Sequence, residues 1–439
     1  VSGALNPGQA DRLLRSLVGA AKAQSLYPPG HTAVARALRA LDRELAGALA
    51  PGEPLLLAKT PSHLLCGGVS WLPEDPVAGD LVRWFATRDV EAVEIGPGAT
   101  GAEVGRFLAW LTGCDPAPWE GRHVRLTKVD EGGPWERGRR TYFEALDALE
   151  VAYREAQEGR IPDPERACRC VQSFVGILED DPVVAQGLAL LKSYDRYTFH
   201  HSVNVCLLAL SLGQHLELGP EDLERLGVGA LLHDIGKTRT PAEIVRKPGH
   251  LDPNEWAAMR RHPVLGRQLL EGMEGLPPGV ARLVYEHHMH YDGGGYPDRP
   301  PGYRPDRMSP LVTVVDAYDA MTTHRPYSRP LPLPEAASQV QWLSGKNFDP
   351  DAVEAFRRAI GTVPVGSAVR LMSGEVAVVT RLTENGEVGE VCLVVDPTGR
   401  PLPPGEQAVR PITGREVVRW VDPLVHGIRP HEVLARIRR

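Results

Sequence analysis

Residues 226–237 read LGVGALLHDIGK, and this stretch decides the fold of the central part of the chain. Its apolar lead-in predicts a buried helix that ends on the pair His233 and Asp234. Burying a histidine beside a carboxylate is costly unless something balances them. A metal ion does so, because imidazole supplies a nitrogen ligand and a carboxylate can bridge two cations. Gly236 then lets the chain turn, which leaves the Lys237 ammonium near the site as a partner for a phosphate. A His–Asp hydrogen bond that only caps a helix is the alternative.

Metal-ligand side chains recur beside other apolar segments that would bury them. With the central pair they form a set of seven nitrogen and oxygen ligands: His201, His233, Asp234, His262, His287, His288 and Asp316. Seven ligands are too many for one tetrahedral ion but suit two six-coordinate ions with bridging groups. A paired site of this kind activates a water and holds both oxygens of a phosphodiester displacement. The sequence therefore predicts two metal ions at a hydrolytic site.

Two further assignments depend on side-chain geometry and chemistry. His200 and His201 are adjacent on a predicted helix, where neighbouring residues point about 100° apart, so the two cannot easily bind one ion. We assign the ligand role to His201. Farther along, the glycine-rich segment ending at Gly295 can approach a phosphate closely because it lacks side chains. Tyr296 offers a ring on which a base can stack.

These residues occur within an ordered series of short motifs. In chain order the motifs are His201, His233-Asp234-x-Gly236-Lys237, His262-Pro263-x-x-Gly266, His287-His288, Gly295-Tyr296-Pro297 and Asp316. This order resembles the HD-GYP family of bacterial phosphodiesterases, and the match covers about 181–361. The combined pattern is specific, whereas a His–Asp pair alone would indicate only the wider HD superfamily.

The resemblance implies an all-helical catalytic domain that binds iron or manganese. By the family pattern, one metal is held by His201, His233, Asp234 and Asp316, and the other by His262, His287 and His288. Asp234 bridges the two metals, and a hydroxide between them attacks phosphorus.

The resemblance also implies how the substrate is held. Lys237 would bind the phosphate with help from Arg325, although Arg325 could instead pair with Asp319. The nucleotide pocket would be lined by Gly295, Tyr296 and Pro297.

The chain departs from the family pattern at a few positions. Members with three metals carry a glutamate four residues before the first histidine, where this chain has Tyr197. We therefore expect two metals. Met289 and Tyr291 stand where the family usually has glutamate and tryptophan, so contacts around the metal ligands are expected to differ.

The chain is long enough for several domains, and we predict a multidomain α+β architecture. Asn385-Gly386 predicts a hairpin turn between two apolar strands near the C-terminus. The last residues, 431–439, are predicted to form a solvated helix end. The predicted domains are a mixed α/β regulatory or interaction domain (1–115), connecting helices (116–180), the all-α HD-GYP catalytic domain (181–361) and a small β-rich domain (362–439).

Composition restricts the environment and the partners. The formal net charge of −7 gives no basic excess, so we expect no nucleic-acid polymer as a partner. No apolar run approaches the roughly 18 residues needed to span a bilayer, and no signal peptide is evident at the start. The six cysteines show no usual zinc or redox spacing. Together these features predict a cytoplasmic protein with reduced cysteines.

The predicted function is hydrolysis of cyclic di-GMP to linear pGpG, with onward hydrolysis to GMP left open. Cyclic GMP-AMP is an alternative substrate. A second hypothesis is a cyclic-dinucleotide receptor with slow or no turnover, which the altered loop around Met289 favours. A third is a phosphohydrolase of the wider superfamily, against which the Gly295-Tyr296-Pro297 motif argues. The N-terminal domain could mediate a homodimer or bind a signalling partner.

Overall fold

The computed structural model describes residues 5–28, 30–49, 54–59, 64–67, 69–71, 75–88, 90–115, 119–127, 133–191, 197–245, 247, 249–323 and 330–438. The chain divides into two compact units, Val1–Gly132 and Gly133–Arg439. Helices occur together with antiparallel sheets, which confirms the mixed α and β class predicted from the sequence. The finer division of the second unit at 181 and 361 stays a prediction.

The first unit packs helices and an antiparallel sheet around one core. The sheet has the strand order β3-β2-β1-β4-β5. The strand β5 pairs with β4 and so belongs to this unit, whereas the predicted domain boundary at 115 stays a prediction. Its elements are α1 (Pro7–Leu26), α2 (Thr32–Ala48), β1 (Leu55–Lys59), β2 (Leu64–Cys66), β3 (Val69–Trp71), α3 (Pro76–Thr87), β4 (Ala92–Ile95), α4 (Gly101–Leu111) and β5 (Val124–Thr127).

The second unit is built around α8, which is buried along most of its length. An apolar helix of this kind belongs in the centre of a bundle, since it has no polar face to offer to water. The helices of this unit are α5 (Pro134–Gln157), α6 (Glu165–Asp180), α7 (Val183–Leu188), α8 (Tyr197–His215), α9 (Pro220–Leu232), α10 (Ala242–Val245), α11 (Pro253–Met259), α12 (His262–Leu270), α13 (Val280–Glu286), α14 (Ser309–Thr322), α15 (Leu333–Trp342) and α16 (Pro350–Ala359).

The C-terminal part of the second unit forms an antiparallel sheet with the order β10-β6-β7-β8-β9. The predicted hairpin around Asn385-Gly386 joins β7 to β8. The final helix is not a solvated end, because Leu434 is 1% exposed and belongs to the main core. The elements are β6 (Ala368–Leu371), β7 (Val376–Leu382), β8 (Val388–Val395), β9 (Val409–Pro411), β10 (Val417–Trp420) and α17 (Pro430–Ile437).

Candidate metal centre

Most of the predicted metal ligands lie at or near the ends of helices in the second unit. His233 directly follows the last residue of α9, and Asp234 comes next. His262 is the first residue of α12, and His287 directly follows α13. His201 belongs to α8, and Asp316 lies within α14.

All seven predicted ligands fall into groups whose nitrogen and oxygen atoms lie within 4.8 Å of one another. Asp234, His233 and His287 each belong to more than one group, so the groups overlap in a single centre. Most members are buried, and His288 is half-buried at the edge. The groups are Asp234 with His262, His287 and His288; His201 with His233 and Asp234; and His233 with His287 and Asp316.

Three of the imidazoles are oriented by a backbone carbonyl three residues earlier in the chain. The Nδ1–H of His233 donates to the Ala230 carbonyl at 2.7 Å, and that of His287 donates to the Val284 carbonyl at 2.6 Å. His262 donates in the same way to the Met259 carbonyl at 2.9 Å. A carbonyl only accepts, so Nδ1 carries the proton and a neutral ring has its Nε2 lone pair available for a metal.

The Nε2 atoms of His262 and His287 are 3.2 Å apart in this orientation. Burial lowers the pKa of His262 to about 3 and holds the pKa of His287 well below its usual value, so both rings are neutral at neutral pH. Their lone pairs therefore face and repel each other, and a cation bound between the two nitrogen atoms would remove this repulsion. Within the described residues, His233 Nε2 and Asp234 Oδ1 are buried without a hydrogen-bond partner. The donor set thus fits divalent metal ions with nitrogen and oxygen ligands.

His201 is oriented by side chains instead of the backbone. Its Nδ1 lies 2.8 Å from Asp319 Oδ2, and its Nε2 lies 3.0 Å from Asp316 Oδ1. Burial lowers the pKa of His201, but hydrogen bonds to the two carboxylates outweigh that effect and raise the pKa to about 9. A metal ion would take the place of the proton on Nε2 while Asp319 keeps holding Nδ1.

Asp319 is one of the residues beside the centre that were not predicted from the sequence. It is fully buried, and it also accepts hydrogen bonds from Asn204 Nδ2 at 3.1 Å and Thr323 Oγ1 at 3.1 Å. Its spacing of three residues from Asp316 was the available signal, since residues three apart share a helix face. Arg325, the other partner considered for Asp319, lies outside the described residues.

Lys237 lies at the solvent side of the centre. Its ammonium is 2.5 Å from Asp234 Oδ2, and a quarter of its side chain is exposed. Burial tends to raise the pKa of Asp234, but Lys237 and the neighbouring histidines hold that pKa well below its usual value. Asp234 is therefore a carboxylate over the physiological range, and Lys237 remains accessible from solvent.

The predicted nucleotide-binding motif forms one wall of the centre. The Tyr296 ring lies 4.6 Å from the His288 ring, and Gly295 pairs with Met289 in a short antiparallel bridge. Pro297 follows in the same segment and is half-buried. Gly295 has φ of +76°, and a Cβ there would lie 2.2 Å from the His288 carbonyl oxygen. Only glycine therefore allows this segment to run so close to the ligand pair.

Two residues that the sequence reasoning missed extend this wall. The Arg260 guanidinium lies 5.0 Å from the centre of the Tyr296 ring, and its Nη2 donates to the Gly295 carbonyl at 3.2 Å. Trp256 lies edge-on to Tyr296 at 6.1 Å and is 46% exposed. A large exposed aromatic ring beside a site for phosphate chemistry is suited to stacking on a base.

His200 does not face the centre. Its Nδ1 lies 2.9 Å from the Tyr142 hydroxyl, whereas the next residue, His201, faces the metal ligands. Of the departures from the family pattern, Met289 is buried and Tyr291 is exposed. The side chain of Tyr197 lies outside the described residues.

Gly236 permits the closest backbone contact in the centre. A Cβ at this position would lie 1.9 Å from the His262 carbonyl oxygen and 2.5 Å from the Gly266 nitrogen. Both are backbone atoms, so α12 would have to move as a whole. We expect Gly236→Ala to lower the free energy of unfolding by about 3 kcal/mol, at the upper end of typical overpacking costs. Urea unfolding of the metal-free protein measures this.

Gly176→Ala is the matched control for that substitution. Gly176 lies in α6, and a Cβ added there would have nothing within 4 Å, so alanine should stabilise the helix by up to about 1 kcal/mol. Equal unfolding midpoints for the two variants would contradict the close approach at Gly236.

Comparison with known families identifies the class of this region. Residues 184–352 match the HD domain family, so the central part of the chain is an HD domain. Together with the relatives below, this match confirms the resemblance to the HD-GYP family. No helix in the described ranges combines the length and apolar character needed to cross a membrane.

Several curated proteins are similar to this chain. The "Cyclic di-GMP phosphodiesterase PA4108" of Pseudomonas aeruginosa is 36% identical over 238 residues, which cover 54% of this chain and 56% of that protein. A "Cyclic di-GMP phosphodiesterase" of Thermotoga maritima is 36% identical over 180 residues, covering 39% of this chain and 48% of that protein. The "3'3'-cGAMP-specific phosphodiesterase 3" of Vibrio cholerae is 32% identical over 168 residues, covering 38% and 36%. The chain spans about half the length, or less, of these relatives.

Proposed function

We propose that this chain is a metal-dependent phosphodiesterase that hydrolyses cyclic di-GMP to linear pGpG, with GMP as a further product. The main support is the approach of the unprotonated His262 and His287 Nε2 atoms to 3.2 Å beside Asp234. Two buried lone pairs at this distance repel each other, and a cation bound between them would remove the repulsion. The names of the similar proteins support a cyclic dinucleotide as the substrate. We further propose two metal ions, iron or manganese, and a cytoplasmic location.

In the proposed arrangement, the chain's residues hold the metals and orient the phosphodiester. Bound divalent metals lower the pKa of a water and neutralise charge on the phosphate oxygens. Asp234 is shared between the two metal sites, as its membership of two ligand groups suggests. During hydrolysis a bond forms from the water oxygen to phosphorus, the bond from phosphorus to the ribose 3′ oxygen breaks, and that oxygen takes up a proton.

Each proposed metal site has its own ligand set. One set consists of His201, His233, Asp234 and Asp316, and the other of His262, His287 and His288 together with the shared Asp234.

We assign phosphate binding to Lys237 and base binding to the wall around Tyr296. The quarter-exposed Lys237 side chain supports its role, because the ammonium can reach a phosphate without leaving Asp234. Gly295 and Pro297 hold Tyr296 against His288, and Trp256 enlarges the aromatic surface. A phosphate contact by Arg325 remains a prediction that the resemblance implies.

Two other functions remain as alternatives. Cyclic GMP-AMP as substrate is favoured by the name of the Vibrio cholerae relative. A cyclic-dinucleotide receptor with little turnover is favoured by Met289 and Tyr291, which replace the usual family residues in the loop beside the centre. A homodimer, or a signalling partner bound through the N-terminal region, also remains a prediction.

The test is to purify the full chain without oxygen, count its metals, and follow its products by chromatography. Cyclic di-GMP and 3′,3′-cyclic GMP-AMP are supplied separately with excess manganese or iron. We expect two metals per chain and faster conversion of cyclic di-GMP to pGpG. Tight binding without product would support the receptor instead, and a chain without metals would show that the ligand assignment is wrong.

Lys237→Met gives the first variant for this assay. The substitution removes the ammonium but keeps the length of the side chain, so the metal count should stay at the wild-type value. We expect kcat/KM to fall about 100-fold, the loss of one charge-assisted contact to a phosphate of about 2.7 kcal/mol. Lys247→Met is the control, since Lys247 pairs with Glu255 instead of a metal ligand. Unchanged kcat/KM for Lys237→Met would remove it from the proposed site.

A further inference from the structure

A buried tyrosine on α5 is connected to the metal centre by hydrogen bonds. Tyr142 is fully buried, and its hydroxyl lies 2.8 Å from Asn204 Oδ1. Asn204 Nδ2 donates to Asp319 Oδ1 at 3.1 Å, and Asp319 Oδ2 lies 2.8 Å from His201 Nδ1. We infer that Tyr142 is a positioning residue that orients the proposed metal ligand His201 through Asn204 and Asp319. This inference rests on the proposed function.

The direction of the hydrogen bonds along this path depends on which group receives the single proton of the Tyr142 hydroxyl. Besides Asn204 Oδ1, the hydroxyl lies near two other groups, the Leu191 carbonyl at 3.0 Å and His200 Nδ1 at 2.9 Å. A hydroxyl donates once and can accept from His200. In the described part of the chain, no other group is seen to donate to Asn204 Oδ1, so donation to Asn204 avoids leaving a buried amide oxygen unsatisfied.

Tyr142 thereby selects one of the two orientations of the Asn204 amide. With the tyrosine donating to Oδ1, the amide directs Nδ2 towards the Asp319 carboxylate. In the reversed orientation Oδ1 would face the carboxylate, and two acceptors would meet in a buried place. A phenylalanine at 142 removes the donor to Oδ1, which weakens the preference for this orientation and takes away a hydrogen bond to a buried acceptor.

The orientation of Asp319 reaches His201 directly. Asp319 Oδ1 is held by Asn204, while Oδ2 is shared by His201 Nδ1 and Thr323 Oγ1. This carboxylate therefore fixes which ring nitrogen of His201 carries the proton and where its Nε2 points. Because α5 opens the second unit at Pro134, the path ties the first helix of that unit to a metal ligand.

The test measures manganese affinity without substrate, by competition with a fluorescent chelator. Residues that hold a ligating histidine typically contribute 10–100-fold to metal affinity. Tyr142 does not contact His201 but acts on it through other residues, so we expect an effect at the lower end of that range. Tyr142→Phe should weaken one of the two manganese sites about tenfold, while the other site keeps its affinity. A general loss of packing would instead weaken both sites together.

A double-mutant cycle tests the path itself. Asn204→Ala should weaken the same manganese site, and adding Tyr142→Phe to it should change the affinity no further. Thr141→Val, which removes a buried hydroxyl from the neighbouring position of α5, should bind manganese as the wild type does. Thermal unfolding of each metal-free variant identifies those folded at the assay temperature.

The outcomes separate this inference from the proposed function. If the wild type binds two manganese ions and Tyr142→Phe binds them equally tightly, the positioning role is wrong and the proposed function stands. Additive effects of the Tyr142 and Asn204 substitutions would also overturn the path. A wild type without manganese binding would overturn both.

Discussion

Replacing Asp234 by asparagine is expected to abolish metal binding and to lower turnover of cyclic di-GMP at least ~1,000-fold, equivalent to ~4 kcal/mol of activation free energy. Asp234 belongs to two of the three ligand groups, and its oxygens lie 3.3 Å from His262 Nε2 and 3.4 Å from His233 Nε2. Among the described residues, no other carboxylate belongs to two of these groups. An amide keeps the shape but loses the negative charge that would offset the proposed divalent cations.

The size of that effect follows from the burial of Asp234. The side chain is 2% exposed, so water cannot replace the missing oxygen ligand. In a site of low polarity, the interaction between a carboxylate and a metal ion is also much stronger than in water. The number of bound metals, measured by mass spectrometry, and the amount of product formed by the same sample should therefore fall together.

Asp80→Asn is the matched control for Asp234→Asn. Asp80 is a largely buried carboxylate in the first unit that pairs with Lys22. Its substitution should leave the metal count and the turnover unchanged. Two metals and wild-type turnover in Asp234→Asn would refute the shared-ligand role.

The metal-free protein is expected to have maximal stability near pH 6.5. Burial lowers the pKa of His262 to about 3 and that of His288 to about 4, and it also lowers the pKa of His287. Below pH 6.5 these histidines take up protons in the unfolded chain but not in the folded one. Stability is therefore lost as the pH falls, by about 1.4 kcal/mol per histidine and pH unit. His288 is a quarter exposed and should contribute least.

Above pH 6.5, His201 makes the free energy of unfolding fall as the pH rises. Although burial opposes it, hydrogen bonding to Asp316 and Asp319 raises the pKa of His201 to about 9. Its contribution to stability is complete below pH 6.5 and disappears as the pH rises through 9. Over two pH units the loss approaches about 2.7 kcal/mol.

Urea unfolding of chelator-treated protein at pH 5, 6.5 and 8.5 measures both slopes. The manganese-loaded protein serves as the control, because a metal on Nε2 competes with protons and moves the acid loss to lower pH. A flat profile for the metal-free protein would mean that the histidines are not buried together as described.

The grouping of the candidate metal ligands could be predicted from the sequence because each lies at the end of, or within, a strongly apolar segment. His233, His262 and His287 are oriented by carbonyls only three residues away, so local sequence contains most of their geometry. The path through Tyr142 could not be predicted. Asn204 lies 62 residues from Tyr142 and 115 from Asp319, and nothing local distinguishes these side chains from ordinary core residues.

Elements whose position depends on tertiary contacts were also not predicted. The strand β5 was not predicted, because it has four residues and its exposed Arg125 and Leu126 give no clear alternation. Its pairing with β4 places residues 124–127 in the first unit. The burial of α17 was also missed, since contact between Leu434 and a distant core is a tertiary effect.

The histidines of the candidate metal centre are anchored in two mechanically different ways. Around His262 and His287 the anchors are main-chain carbonyls, so the side chains at Met259 and Val284 can change without moving a ligand. Around His201 the anchor is a carboxylate whose own position depends on the side chains of Asn204 and Thr323. Variation that tunes the candidate centre through His201 alone should therefore collect around Asp319.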